Sequence, residues 1–412
     1  MYPVDANSLR SLRGGRWSGL GANVFLLGLT SLLTDVSSEM VVSVLPVYLV
    51  FALGLTPLQY GLVDGLYQGA AVAARLVGGL LADRWQRNRD VAAAGYALSA
   101  VCKLGLLAAG GAWGLLSAVL ALDRVGKGIR TAPRDALISL SSAPQRLALA
   151  FGVHRAFDTA GAMLGPLLAV AILLLLPAAY DVIFVASFCI AVVGVAVIAL
   201  FVRNVAAAGG GSARAKPRLA DAFGLLRARP FRALVVAGSV LGLLTVGDSF
   251  FYLVLQRRAS LPVALFPLLF AATALGYLLL AIPAGRLGDR IGRGRVFLLG
   301  HVLLVAASAS LLAPGAGLAS GMLSLVLLGA YYACTDGVLM AAASAFVPPA
   351  LRAGGLALLT TATGAARMVA SLLFGAVWEW RSIEFALGLF TGGLTLAVLL
   401  TARTWMRLDQ LQ

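Results

Sequence analysis

Gly79-Leu-Leu-Ala-Asp83-Arg84-Trp-Gln-Arg87-Asn-Arg89 stands between two long apolar runs, and Gly285-Arg-Leu-Gly-Asp289-Arg290-Ile-Gly-Arg293-Gly-Arg295 stands between two more. The glycine, the aspartate and three arginines recur at a constant separation of 206 positions (285 − 79). Arg146 and Arg352 share that separation, which makes six positions in register. A repeat spanning half the chain describes a duplicated unit. Two parallel repeats in an apolar chain are a transporter architecture, with the substrate site where the repeats meet.

Outward from these stretches, the chain is built for lipid. Of 412 residues, 60% are hydrophobic and 12% charged, against roughly 25% charged in soluble domains. A helix crossing the bilayer takes about 20 apolar residues, which gives room for about twelve spans. The apolar runs are continuous, not alternating, which excludes a transmembrane barrel. The expected fold is an all-α membrane protein of twelve transmembrane helices in two pseudo-symmetric six-helix halves. The spans are predicted near 20–50, 57–82, 91–110, 113–140, 147–175, 181–202, 231–256, 262–286, 296–313, 317–346, 354–377 and 384–403. The N-terminal half is expected over 1–204 and the C-terminal half over 231–412, joined by a cytoplasmic linker over 205–230 that holds Gly209-Gly-Gly-Ser212. Leu219 to Arg227 is expected to form a short interfacial helix.

The net charge of +15 is spread over short loops and does not indicate nucleic acid. One set of loops carries nearly all the Lys and Arg, which puts both termini on the cytoplasmic side. Arg10, Arg13 and Arg16 precede a first span with no cleavage signal behind it, so that span reads as an uncleaved anchor. Cys102, Cys189 and Cys334 lie singly in apolar runs and form no zinc or disulfide pattern. With both halves in one chain, a monomer in contact with membrane lipid is complete.

The loop stretches resemble the motif between helices two and three of the major facilitator superfamily. Leu122-Asp123-Arg124-Val-Gly-Lys127-Gly128 resembles that family's helix-four motif, with Lys127 where many members carry glutamine. Gly161-Ala-Met-Leu-Gly165-Pro166 resembles the helix-five motif associated with drug:proton antiporters, with Ala169 and Val170 in place of its final glycine pair. Thr34-Asp-Val-Ser-Ser-Glu-Met40, Asp123 to Leu137 and Phe151 to Asp158 resemble a bacterial subgroup that includes nickel-resistance permeases, although the His-rich tail of some of these is missing. The resemblance implies a multi-pass protein of a bacterial inner membrane. It implies a conformational role for Gly79, Asp83, Arg84, Arg87, Gly285, Asp289, Arg290 and Arg293, and a part in proton coupling for Arg124.

An ionisable side chain within a span is expensive, about 2.5–3.5 kcal/mol on insertion scales, and marks a cavity or a partner. In span one, Ser31, Asp35, Ser38 and Glu39 share a helical stripe. Span four holds Arg124, Lys127 and Arg130 on a broad face that ends in Arg134 and Asp135. Span five holds His154, Arg155 and Asp158, followed by Gly161 and Gly165 for close helix approach and by Pro166, which bends or weakens the helix. Arg124 is expected to pair with Asp35 or Asp158. The second half adds Asp248, Asp336 and Arg367. The expected function is proton-coupled export of a small organic or drug-like solute by alternating access, with protons as the second partner. A divalent-metal exporter using Asp35, Glu39, Met40, His154, Asp158, Cys334 and Asp336 is the alternative, although no spacing fixes a metal site. A receptor on a transporter fold is the third reading. No Walker, HExxH or GxSxG motif is present, so neither an enzyme nor a cofactor is expected.

Overall fold

The computed structural model describes residues 21–70, 87–142, 147–205, 223–313, 317–348 and 351–410. Gly79, Asp83, Arg84, Arg146 and Gly209 to Ser212 lie outside the described residues. The chain is helical, with α1 (Ala22–Val47) running into a π turn, Tyr48–Ala52. Residues 57–70 form α2. The first half continues with α3 (Asn88–Ala109), α4 (Trp113–Leu140), α5 (Leu147–Leu175) and α6 (Tyr180–Leu200). The second half holds α7 (Arg229–Leu243), α8 (Asp248–Ala259), α9 (Pro267–Ile291), α10 (Arg293–Leu312), α11 (Leu318–Ala345), α12 (Arg352–Trp380) and α13 (Ile383–Gln410). Of the expected interfacial helix, residues 219–222 lie outside the described residues and 223–227 are helical, ending in the 3-10 turn Leu225–Arg227.

Ten helical stretches among the described residues are long and apolar enough to cross a membrane. Exposed leucines such as Leu175, Leu200, Leu279, Leu399 and Leu400 face outward, as lipid requires. The 28-residue α4 has the length but carries too much charge to count among the ten. The seventh span is interrupted at 244–247, which separates α7 from α8 and leaves Asp248 at a helix start. Pro166 leaves α5 unbroken from Leu147 to Leu175; a membrane helix tolerates it where neighbouring helices pack against the freed backbone.

Small residues set the packing. A Cβ on Gly161 would lie 2.7 Å from the Leu32 carbonyl and 3.0 Å from Asp35 Cβ. One on Gly165 would lie 2.7 Å from the Val36 carbonyl and 2.8 Å from Glu39 Cβ. The two glycines therefore press α5 onto α1 at its two acidic positions. On its other side α1 meets α6, where Ser37 and Ser187 share a hydrogen bond of 2.9 Å. Gly95 of α3 meets the Gly126 carbonyl of α4, with a 2.8 Å approach for an added Cβ. Gly300 of α10 meets the Tyr331 carbonyl of α11 in the same way at 3.2 Å. These crossings are 205 positions apart (300 − 95), one fewer than the loop repeat.

The duplicated stretches end in matching caps. The Arg89 amide donates to Asn204 Oδ1 at 3.2 Å. In the second half the Gly294 and Arg295 amides donate to the two carboxylate oxygens of Asp409 at 2.6 and 3.0 Å. Each cap comes from the last span of its half and satisfies free amides at a helix start. Gly292 has φ +107° and would place a Cβ 2.5 Å from Asp409, so both backbone and space require glycine. Arg293 bridges Asp289 at 3.4 Å and the Ala341 carbonyl at 3.1 Å. Asp409→Ala is expected to lose both caps and about 1–2 kcal/mol of stability, and Asp409→Asn less, read as thermal unfolding of the purified protein.

Candidate functional site

The charges of α4 organise the first half. Lys103 Nζ on α3 donates to Asp123 Oδ1 at 2.5 Å, and Arg124 donates to Asp123 Oδ2 at 3.0 Å. All three side chains are buried. The Arg124 guanidinium also lies 4.0 Å over the Tyr67 ring of α2, a cation–π contact. A cavity of about 10 Å³ among Ser38, Tyr67, Lys103, Asp123 and Arg124 has room for at most one water. This cluster is a tightly paired anchor with no space for a solute, although Arg124 Nε is buried without a hydrogen-bond partner.

Pairing loosens along the helix. Arg130 lies 3.6 Å from Asp35 and stacks 4.4 Å from the Tyr96 ring, and its Nη1 is buried without a partner. A charge-assisted N–H···O bond is normally about 2.7–2.9 Å, so this pair is slack. Arg134 pairs with Asp135 at 3.0 Å and donates to Ser31 at 3.4 Å. His154 Nε2 sits 3.4 Å from Asp158 Oδ1, with neither atom making a hydrogen bond. Glu39 and Lys127 are half-buried and have no hydrogen-bonding or ion-pair partner among the described residues. Glu39 feels the charges of Lys127, Asp35, Arg124 and Lys103.

The second half presents a smaller cluster. The Tyr332 hydroxyl donates to Asp248 in a short hydrogen bond. Arg367 donates to the Tyr331 hydroxyl at 3.1 Å. His301, buried in α10, meets the Tyr331 ring edge-on at 5.4 Å and its Nδ1 is 2.9 Å from the Phe297 carbonyl. Asp336 is exposed, and the cations acting on it are Arg367 and, from the other half, exposed Arg155.

The halves seal at one end. Ser371 of α12 donates to Asp64 of α2 at 2.5 Å, and the Leu58 amide donates to Glu379 at 2.9 Å. A Cβ on Gly61 would lie 2.7 Å from the Ser371 carbonyl. Tyr60 packs edge-on against Phe250 at 4.9 Å, and Phe250 against Phe374 at 4.8 Å. The Asp64–Ser371 and Leu58–Glu379 hydrogen bonds, and Ser249 against Asp64, join the halves at this end. Toward the other end, a Cβ added to Gly152 or Gly285 would meet nothing within 4 Å among the described residues, and Arg155 and Asp336 are exposed.

This is two helical bundles around a polar cleft, closed at one end. The profile of the Major Facilitator Superfamily matches residues 27–270 and 249–409. The chain belongs to the Major Facilitator Superfamily. A relative in Methanocaldococcus jannaschii described as an uncharacterized MFS-type transporter is 31% identical over 379 residues, covering 87% of this chain and 89% of that one. An uncharacterized protein of Mycobacterium tuberculosis is 40% identical over 144 residues, 35% of each chain. Among solved structures, the nucleoside transporter NupG superposes with TM-score 0.77 at 16% identity, over 94% of this chain and 99% of its own. A POT family transporter in complex with 5-aminolevulinic acid superposes with TM-score 0.80 at 14% identity, over 96% and 98%. The chain is thus an integral multi-pass membrane transporter and not an enzyme.

Two readings from the sequence need revision. Arg124 pairs with neither Asp35 nor Asp158: its neighbour Asp123 and the Tyr67 ring hold it, and Asp35 faces Arg130 further along α4. Among the described residues no three His, Cys, Asp or Glu side chains gather as metal ligands, so the ligand set of the metal-exporter reading is scattered. Arg87 lies 4.0 Å from Asp90 on the surface. Lys103 and Asp64 went unnoticed in the sequence, although a lone charge inside an apolar run is itself a signal. Asp123→Asn, which strands Lys103 and Arg124, is expected to cost about 3–5 kcal/mol. Adding Lys103→Met is expected to restore part of it, measured as thermal unfolding in one detergent.

Proposed function

We propose that this transporter is a proton-coupled exporter of a small organic solute. The observation that carries the reading is the slack Asp35–Arg130 pair, 3.6 Å apart with a buried Arg130 nitrogen left over. A carboxylate held this loosely can exchange its cation for a proton without dismantling the Asp123 anchor. Asp35 and Glu39 sit where Gly161 and Gly165 bring α5 onto α1. A change of charge at Asp35 therefore acts on a tight helix contact. Protonation releases Arg130, and the half-buried Glu39 and Lys127 become the groups that meet the solute with Asp248, Asp336 and Arg367 opposite. His154, Arg155 and Asp158 line the same side.

The basic loops orient the open end of the cleft toward the cytoplasm, with both termini there and the protein in a bacterial inner membrane. The repeated loop residues Gly79, Asp83, Arg84 and Arg87, with Gly285, Asp289, Arg290 and Arg293, act in the switch between states. The chain works as a monomer. The halves, 1–204 and 231–412, rock about the midplane cleft, joined by 205–230.

Reconstituted liposomes containing a pH-sensitive dye test this reading against organic cations, organic acids and divalent metals. Proton movement driven by one organic class, lost in Asp35→Asn, is the expected result. Flux of an organic solute without proton movement would remove the coupling, and a response to divalent metals alone would remove the organic cargo.

A further inference from the structure

Asp64 lies in the seam between the halves, less exposed than Glu379 there, and the transport reading makes no use of it. It sits on α2 about 10 Å along the helix from residue 57. Ser371 Oγ of α12 donates to Asp64 Oδ2 at 2.5 Å, and Gln68 Nε2 donates to the same oxygen at 2.9 Å. Ser249 of α8 also reaches the carboxyl. All three partners are neutral. The titratable groups facing it are Tyr60 and Tyr67 on its own helix and Asp248 on α8. On α12 it meets Ser371, and Arg367, one turn away, is engaged with the Tyr331 hydroxyl. Among the described residues no cation acts on Asp64.

Small residues close the seam around it. Gly61, Gly65 and Gly69 of α2 would each bring a Cβ within 3.2 Å of α12, and Gly247 would bring one to 3.3 Å from Asp64 Oδ2. The carboxyl is therefore half-buried in the shut seam, with neutral side chains alone on its oxygens. An ionised carboxylate part-buried with neutral donors alone is costly, whereas a neutral carboxylic acid with hydrogen bonds is not. Ser371 and Gln68 converge on Oδ2, and Ser249 is the third neutral group on the carboxyl. When α2 and α12 part, Ser371 leaves with the second half, water reaches the carboxyl and the proton departs.

We propose that Asp64 is a proton-operated latch: the acid form holds the α2–α12 seam shut and the carboxylate form drives it open. The sign follows from linkage. The sealed state binds one more proton at this position than the open state, so lowering pH favours sealing and raising it favours opening. The purpose of such a latch rests on the proton-coupled reading: it would admit protons from the side opposite the open cleft. Its operation can be read without any solute.

The test uses the full-length protein in lipid nanodiscs, with Cys102, Cys189 and Cys334 replaced by serine and spin labels on Leu58→Cys and Arg381→Cys. Distances are measured across a pH series with no solute. The unmodified Asp64 protein is expected to show a short-distance population that falls as pH rises. Asp64→Asn, a fixed neutral mimic, is expected to lose that dependence and stay short throughout; retention of the original shift in Asp64→Asn would overturn the latch. Ser371→Ala weakens the sealed state alone, so its transition is expected at lower pH, and an unmoved transition would also overturn it. The Asp35→Asn proton-flux assay reads the coupling separately, so failure of that reading leaves the solute-free distances to judge the latch.

Discussion

A charged helix inside a lipid-solvated bundle must find its partners within the bundle. That constraint governs this structure. The α4 helix carries more charge than a membrane span of its length admits, and Asp123 resolves the deepest part by accepting from Lys103 and Arg124 together. The close approach of α3 through Gly95 and Gly126 brings Lys103 within reach. Tyr67 of α2 covers the face of Arg124. Three helices are thereby fixed to one carboxylate. Breaking such a pair strands a buried charge, which makes this corner the rigid reference for the rest.

Function belongs to what departs from that tight pairing. Along α4 the doubly paired Asp123 gives way to Lys127, which has no ion-pair partner among the described residues, and to the slack Arg130–Asp35 contact, before Arg134 pairs again with Asp135. The second half repeats the scheme with tyrosines: Tyr332 holds Asp248 and Tyr331 holds Arg367, while Asp336 stays exposed. A transporter needs both behaviours, because a solute can bind only to charges that the fold has left partly uncompensated. The seam between the halves follows the same logic with glycines, which permit contact without fixing it.

The spans and the duplication were legible in the sequence because lipid imposes length and composition on every helix, and because the repeated loops kept their register. The matching caps of Asn204 and Asp409 lie 205 positions apart (409 − 204), one short of that register. The partner choices were not legible. Nothing in the spacing tells Arg124 to prefer the adjacent Asp123 and a tyrosine on α2 over Asp35, since that depends on how far α1 stands from α4. The break between α7 and α8 falls at Thr245-Val-Gly247 just before Asp248, inside a stretch otherwise long and apolar enough to read as one span. Asp64 was overlooked because its partner, Ser371, lies 307 positions away (371 − 64) in the other half.

The central claim is a single polar cleft that opens to one side of the membrane at a time. Leu58→Cys and Glu379→Cys can be joined by a short thiol cross-linker, locking the seam at the Leu58–Glu379 hydrogen bond. A third cysteine, Asp336→Cys, then reports access to the cleft in sealed vesicles of known orientation, using a membrane-impermeant thiol reagent. The account predicts labelling of the locked protein from the cytoplasmic side only. Labelling of the locked protein from the opposite side, or from both, would contradict it.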